Sequence, residues 1–220
     1  MPGQSWPGTA HNGYVRLPSS AHAARPWVIN RIAPDFRLLD AWALPAEGGQ
    51  DDFGAFLDTM TAIDPVTGGT SGGSTVSSAL FRIRLRLGQW FGWDDPGRKL
   101  PIPGCQETTL RDRLPDDLRD SENMPVINAT VQRAAGGFVP VYRTADEAAA
   151  EISNATVHGV LHLGWVEQGN GRYRAQMGVY VKPRGRPGEV YLKLIAPFRH
   201  LIVYPALMRQ IGRAWDGRRR

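Results

Sequence analysis

Two histidines, His158 and His162, lie four residues apart in the stretch NATVHGVLHLGW, which runs from Asn154 to Trp165. On a helix, this spacing would place both rings on one face, about 6 Å apart, where they could bind one metal ion. In a strand, the two residues also share a face, but at roughly 3.3 Å per residue they lie about 13 Å apart. One ion cannot bridge that distance, so the secondary structure of the stretch decides its chemistry.

The stretch is predicted to be a strand. Its threonine and valines are β-branched and favour a strand, whereas its two glycines disfavour a helix. A hairpin turn with Asn170-Gly171 at its centre is predicted just downstream. The shared-ion hypothesis is therefore rejected, and we expect no bound metal.

A turn symmetric about Asn170-Gly171 pairs residues whose numbers sum to 341, and paired residues point to the same side of the sheet. The face shared by His158 and His162 then contains Val160, Gly164, Val166, Ala175, Met177, Val179, Val181 and Pro183. It is the more apolar face, so we expect it to line the core or a cavity; an odd-length loop would reverse the pairing. Two interpretations stay open for the histidines: hydrogen-bonded structural residues, or acid–base groups of an occupied cavity.

Bulk properties narrow the class of protein. The chain has 220 residues, a net charge of +5 and one cysteine, and its first residues do not resemble a secretory signal. We expect a cytoplasmic protein with a flexible arm at residues 1–25, one domain at residues 26–217 and a basic tail at residues 218–220. No apolar run reaches about 18 residues, so no membrane span is expected. Basic residues do not cluster with aromatic ones, so nucleic-acid binding is not expected either.

Several other elements follow from periodicity and turn residues. Helices are predicted at residues 50–63, 74–93, 144–154 and 201–215, the third of them on a capping box of Thr144 and Glu147. Short strands are predicted at residues 138–144 and 189–196. A glycine-rich hinge is predicted at residues 64–74, and an irregular but ordered segment at residues 94–137.

Four segments together resemble a known family: LRLGQWFGWD, TLRDRLPDDLR, VYRTADEAAAEISNATVHGVLHLGW and LIAPFRHLIVYPAL. They resemble the bacterial domain-of-unknown-function family 2867, whose architecture is similar to the START/Bet v1-like (SRPBCC) superfamily. The resemblance implies an α+β helix-grip fold, in which a curved antiparallel β-sheet wraps around a long C-terminal helix with a central cavity. Pro205 departs from that pattern, because it would start the last helix late or kink it.

The resemblance also implies a range of functions, since the superfamily includes polyketide cyclases and lipid carriers. We therefore expect the chain to bind a hydrophobic small molecule and to catalyse a cofactor-independent proton-transfer, cyclisation or dehydration step. The alternative is a non-catalytic carrier or sensor of a lipid-like ligand. Neither function requires a cofactor, and a homodimer is compatible with both.

Candidate site residues come from these considerations. His158, His162 and His200 are the candidate acid–base residues, and Arg199 is the candidate anion anchor. The last two belong to the APFRH segment at the end of a predicted strand, where they could instead be a pair bonded to loop carbonyls. The candidate substrate-binding residues are Trp90, Arg111, Asp112, Tyr142, Val160, Met177 and Val179.

Alternative chemistries receive less support from the sequence. Asp112 with Arg111 or Arg113 could cover a cavity mouth, although a surface ion pair is favoured. Cys105 could be a nucleophile, but it lacks a local signature and is interpreted as inert. No G-x-S-x-G elbow, phosphate loop, dinucleotide fingerprint or H-E-x-x-H motif occurs.

Overall fold

The computed structural model describes residues 13–63, 100–119 and 138–218. Its strands are β1 (Val15–Arg16), β2 (Arg37–Gly48), β3 (Val139–Arg143), β4 (Glu147–Ser153), β5 (Val157–Gly169) and β6 (Arg172–Pro183). Its helices are α1 (Ser19–Ala23), α2 (Val28–Ile32), α3 (Phe53–Ala62), α4 (Asp116–Arg119), α5 (Gly185–Phe198) and α6 (Tyr204–Arg218). Short 3₁₀ turns lie at Gln50–Asp52 and Leu110–Arg113. The fold class is α+β, as the sequence predicts.

The strands form one six-stranded sheet in the order β1-β2-β6-β5-β4-β3, with every neighbouring pair antiparallel. Apolar side chains cover both of its faces. One face packs against α1, α2 and residues 100–119, and we call it the histidine face because His158 and His162 lie on it. The other packs against α3 and α6, and we call it the helix face. Alternate residues of each central strand therefore lie in two separate cores.

A π-helical turn at Arg199–Val203 joins α5 to α6, so that Gly185–Arg218 forms one continuous 34-residue helix. Pro205 is the second residue of α6 and lies just after the π turn. The sequence predicts that Pro205 starts the last helix late or kinks it; the regular α-helix does restart at Tyr204 after the π turn, but the helix as a whole continues through this point. By length and composition alone this helix could also cross a membrane, which weakens the expectation that no segment could do so.

Two predicted elements have a different secondary structure: a predicted helix contains a strand, and a predicted strand is part of a helix. The predicted helix at residues 144–154 is a turn followed by β4: Thr144 Oγ1 still accepts the N–H of Glu147 at 3.1 Å, as a cap would, but the chain then extends. The predicted strand at residues 189–196 is part of α5, because Gly188, Tyr191 and Leu192 follow helical spacing and are buried. In both places, packing on the sheet overrides the local preference.

The predictions for α3, β3 and the β5–β6 hairpin are confirmed. The hairpin register is off by one residue, however, because a bulge between Glu167 and Gly169 changes the sum of paired numbers from 341 to 340. His158 therefore pairs with Lys182 and His162 with Gly178. Met177 and Val179 consequently belong to the helix face, not to the histidine face.

The described part of the segment predicted as a flexible arm contains the strand β1 and the helix α1. Residues 15–16 pair with β2, and α1 places His22 in the interior with no exposed surface. Three parts of the chain lie outside the described residues: residues 1–12, the predicted hinge at residues 64–74, and the predicted helix at residues 74–93 with Trp90. Of the predicted irregular segment, residues 100–119 are described, and Leu110 there is fully buried.

Candidate functional site

The histidine face contains a chain of buried hydrogen bonds. His162 Nε2 lies 2.9 Å from Glu147 Oε2, and the same oxygen accepts the Tyr142 hydroxyl at 2.9 Å. The other oxygen of Glu147 accepts the Val28 N–H at 2.7 Å. On its far side, His162 Nδ1 lies 3.2 Å from Nε2 of His22. Strand β4 supplies the carboxylate, and the arm supplies the second imidazole.

His22 is neutral near pH 7, because burial and then the charge of His162 lower its pKa from 6.5 to about 4. A neutral His22 that donates from Nδ1 to Gln176 Oε1, at 3.1 Å, must accept at Nε2. The second atom of that contact is His162 Nδ1, and on the other side of the ring Nε2 of His162 faces Glu147.

His158 has its own carboxylate partner, since its Nε2 lies 2.9 Å from Glu151 Oε2. That oxygen also accepts the Leu110 N–H at 3.0 Å, and the second oxygen accepts the Thr109 hydroxyl. His158 and His162 are both fully buried, and each binds a different acid. Both histidines are hydrogen-bonded to neighbouring side chains: these bonds join β5 to β4, and through His162 they also join β5 to the arm.

The helix face contains a second polar cluster, which we call the Asp40 centre. Asp40 is 1% exposed, although it lies in an otherwise apolar strand. Its Oδ1 accepts Arg16 Nη2 at 3.0 Å and lies 3.4 Å from His200 Nε2. Its Oδ2 accepts Arg199 Nε at 3.0 Å and the Tyr204 hydroxyl at 2.9 Å.

The π-helical turn accounts for the position of the three helical partners of Asp40. Arg199 and His200 open the turn and Tyr204 follows it, with the Tyr204 N–H bonded to the Arg199 carbonyl. The wider π turn brings these residues to one side of the helix, above Asp40. Such turns are frequent at functional sites.

Two buried N–H groups of this centre have no hydrogen-bond partner within the described part of the chain: Trp42 Nε1 and Arg199 Nη1. The Trp42 side chain packs on the Tyr204 ring with centroids 5.1 Å apart, and the Arg199 guanidinium lies 6.0 Å from that ring. A buried N–H without an acceptor costs about 1–3 kcal/mol. An acceptor atom of a ligand would recover that free energy.

The charge of the Asp40 centre favours an anionic ligand. Burial lowers the pKa of His200, against the opposing effect of Asp40, so its imidazole is neutral at pH 7. Burial and the charge of Asp40 raise the pKa of Tyr204, so its hydroxyl stays protonated. Among the described residues, Arg16 and Arg199 share one carboxylate, so this part of the centre holds two guanidinium groups and one acid.

The fold divides the candidate site residues predicted from sequence between the two faces. Tyr142 and Val160 lie with His158 and His162 on the histidine face. Met177 and Val179 lie with Arg199 and His200 on the helix face, since Met177 pairs with Trp42 and Val179 with Asp40. Arg199 and His200 belong to the π turn, not to the end of a strand as predicted.

Arg111 and Asp112 lie apart from both clusters, in the 3₁₀ turn at Leu110–Arg113. Asp112 is exposed, and within the described ranges no ion pair joins it to Arg111 or to Arg113. Arg113 instead pairs with Asp35 at 2.7 Å and Glu107 at 3.4 Å. Cys105 lies 3.1 Å from Arg113 Nη2. These groups hold residues 100–119 against the start of β2.

Sequence reasoning assigned no site role to His22, Asp40, Trp42, Glu147, Glu151 or Tyr204. One signal was available for Asp40, the lone acid in the apolar run LLDAWAL of β2. Glu147 and Glu151 lie in a stretch whose residues predict a helix, so the sequence did not indicate that they face the histidines of a neighbouring strand. Nothing local marks His22, whose partners are 140 and 154 residues away.

Within residues 13–63, 100–119 and 138–218, no group of three or more His, Cys, Asp or Glu side chains is arranged to hold a metal ion. Comparisons with known proteins give one result. A family model described as "Protein of unknown function (DUF2867)" matches residues 32–206. No curated protein and no solved structure matches the chain.

Proposed function

The chain belongs to the DUF2867 family, and we propose from its own residues that it binds an apolar small molecule with an anionic or carbonyl oxygen at the Asp40 centre. The observation that carries this proposal is the pair of buried, unpartnered N–H groups of Trp42 and Arg199. Met177 and Val179 provide apolar surface beside them. The side chain of His200 is 27% exposed, which gives a ligand access to the centre.

We further propose that the bound molecule undergoes proton transfer, with His200 as the general base. Nε2 of His200 lies 3.4 Å from Asp40 Oδ1, and we therefore assign the proton to Nε2 and the lone pair to Nδ1. That nitrogen removes a proton from the carbon next to a carbonyl, and the C–H electron pair forms a C=C bond. The carbonyl oxygen then becomes an enolate oxygen, which the N–H groups of Arg199 and Trp42 stabilise.

The fold supports the finer assignment to the helix-grip architecture of the SRPBCC superfamily. A six-stranded antiparallel sheet with a long C-terminal helix on one face is the arrangement expected there. We propose that the ligand cavity lies between that helix and the helix face of the sheet. We propose this position in place of the histidine face, where His22, His162, Glu147 and Glu151 have hydrogen-bond partners and, among the described residues, His158 Nδ1 has none. We propose a cytoplasmic location, as the sequence indicated.

Two probes test the function. Titration with 1-naphthoate, followed by the indole ¹H–¹⁵N signal that Trp42→Phe removes, should shift that signal and leave the other indoles in place. Exchange of the α-protons of 2-tetralone in D₂O should be faster with the protein than with buffer. His200→Ala should abolish the acceleration and keep naphthoate binding, whereas His158→Ala serves as the control on the opposite face.

The same two probes distinguish an enzyme from a non-catalytic carrier, because a carrier needs the same pocket but not His200 as a general base. If naphthoate binds and the exchange of 2-tetralone protons is equal in wild type and His200→Ala, the chain is a carrier. If neither probe perturbs the Trp42 signal, the Asp40 centre is not a ligand site.

A further inference from the structure

The outward side of the C-terminal helix carries a continuous row of apolar residues. Pro187, Val190, Leu194, Pro197 and Leu201 follow one another at spacings of three and four residues, which places them on one face. Their exposure is high: Val190 is 56%, Leu194 71% and Leu201 76% exposed. We call this row the outer stripe; at about 1.5 Å per residue it is about 21 Å long.

The opposite side of the same helix faces the protein. There Gly188, Tyr191 and Leu192 are buried, the last two against Val157 and Val181. Only 17% of the most apolar 18-residue window of the helix is buried. The outer stripe is therefore apolar surface that packing on the sheet leaves uncovered, and exposed patches of this kind mark interaction sites.

Positive charge borders the outer stripe. Arg186 and Lys193 are exposed, and no ion pair involves them within the described ranges. The one acid of residues 185–203 is Glu189, and Arg37 binds it at 3.1 Å. A partner of this surface must then offer apolar volume together with negative charge.

We propose that the outer stripe docks the protein onto an anionic lipid surface. Val190, Leu194 and Leu201 enter the boundary between headgroups and acyl chains, while Arg186 and Lys193 bind the phosphates. The helix lies in the plane of the surface, because its other side is fixed to the sheet. This mode of binding differs from spanning and does not depend on the proposed function of the Asp40 centre.

A second copy of the chain is the competing occupant, and charge disfavours it. A two-fold contact along the stripe would run the two helices antiparallel, with the symmetry axis near Leu194, the middle of the row. Lys193 of each copy would then approach its equivalent, and no free acid on the stripe compensates this repulsion. An anionic lipid surface attracts Lys193, so no such repulsion arises there.

Vesicle flotation tests the proposal with the full chain. Wild type should float with phosphatidylcholine vesicles that contain 30% phosphatidylglycerol and stay at the bottom with phosphatidylcholine alone, and binding should weaken as salt increases. Lys193→Gln should bind about fivefold more weakly, the effect of one cation at such a surface. Leu201→Asp should bind at least tenfold more weakly, since its apolar contact is lost.

Val139→Asp is the matched control for Leu201→Asp. Val139 is an exposed apolar residue, 37% exposed, on the edge strand β3 and outside the helix. This variant should float like wild type, and unchanged thermal unfolding of both variants excludes misfolding. The proposal is overturned if wild type does not float, if the two variants bind equally, or if light scattering finds a wild-type dimer that Leu201→Asp dissociates.

Discussion

The buried imidazole of His22 makes stability depend on pH in a calculable way. In the folded chain its pKa is about 4, lowered first by burial and then by the charge of His162, against an unfolded value of 6.5. The folded state therefore binds this proton less readily than the unfolded state does. The contribution of neutral His22 to stability is fully present above pH 6.5 and is lost as pH falls towards 4.

The magnitude follows from the two pKa values. As pH falls from 7, the unfolded chain gains its proton first, and the free energy of unfolding drops by about 2 kcal/mol at pH 5 and about 3 kcal/mol at pH 4. Below pH 4 both states are protonated and the loss stops. A loss of this size is a large fraction of the 5–15 kcal/mol that is typical of a whole domain.

The assay is urea unfolding of wild type and His22→Gln, followed by circular dichroism at pH 7, 5 and 4. Other groups titrate in this range, so the useful quantity is the difference between the two proteins. Glutamine stays neutral; the variant should be less stable at pH 7, and the gap should shrink by about 3 kcal/mol at pH 4. A gap that is the same at all three pH values would refute the assigned burial of neutral His22.

Three further predictions concern stability. Gly178→Ala places a Cβ 2.5 Å from the His22 ring nitrogen and should lower the free energy of unfolding by about 1–3 kcal/mol, measured by urea unfolding. The control is Gly212→Ala in a helix, whose Cβ has its nearest neighbour at 3.5 Å and which should be neutral or stabilising. Equal effects of the two substitutions would contradict the close packing of the arm. Asp40→Asn should lower the free energy of unfolding by about 3 kcal/mol, since it leaves buried guanidinium charge unpaired, and an unchanged urea midpoint would argue against that pairing. Gly171→Ala should cost about 1 kcal/mol by the same measurement, because φ is +69° there, and no loss would mean that the turn has another conformation.

The sequence by itself was sufficient where local chemistry and geometry agree. Glycines and β-branched residues around His158 predict a strand, and Asn170-Gly171 predicts the turn that follows; both are observed. The exclusion of one shared metal ion needed only the rise per residue of a strand. The apolar period of residues 53–62 likewise predicts α3.

Tertiary structure decided everything that depends on which surfaces meet. One bulged residue at the hairpin end moved Met177 and Val179 to the helix face, because strand side chains alternate and a one-residue shift exchanges the faces. Residues 147–153 form a strand that pairs with β5, and this pairing brings their glutamates to His158 and His162. Partners so far apart in the chain leave no local pattern, so the Asp40 centre and the chain of bonds at His22 appear only when the sheet is assembled.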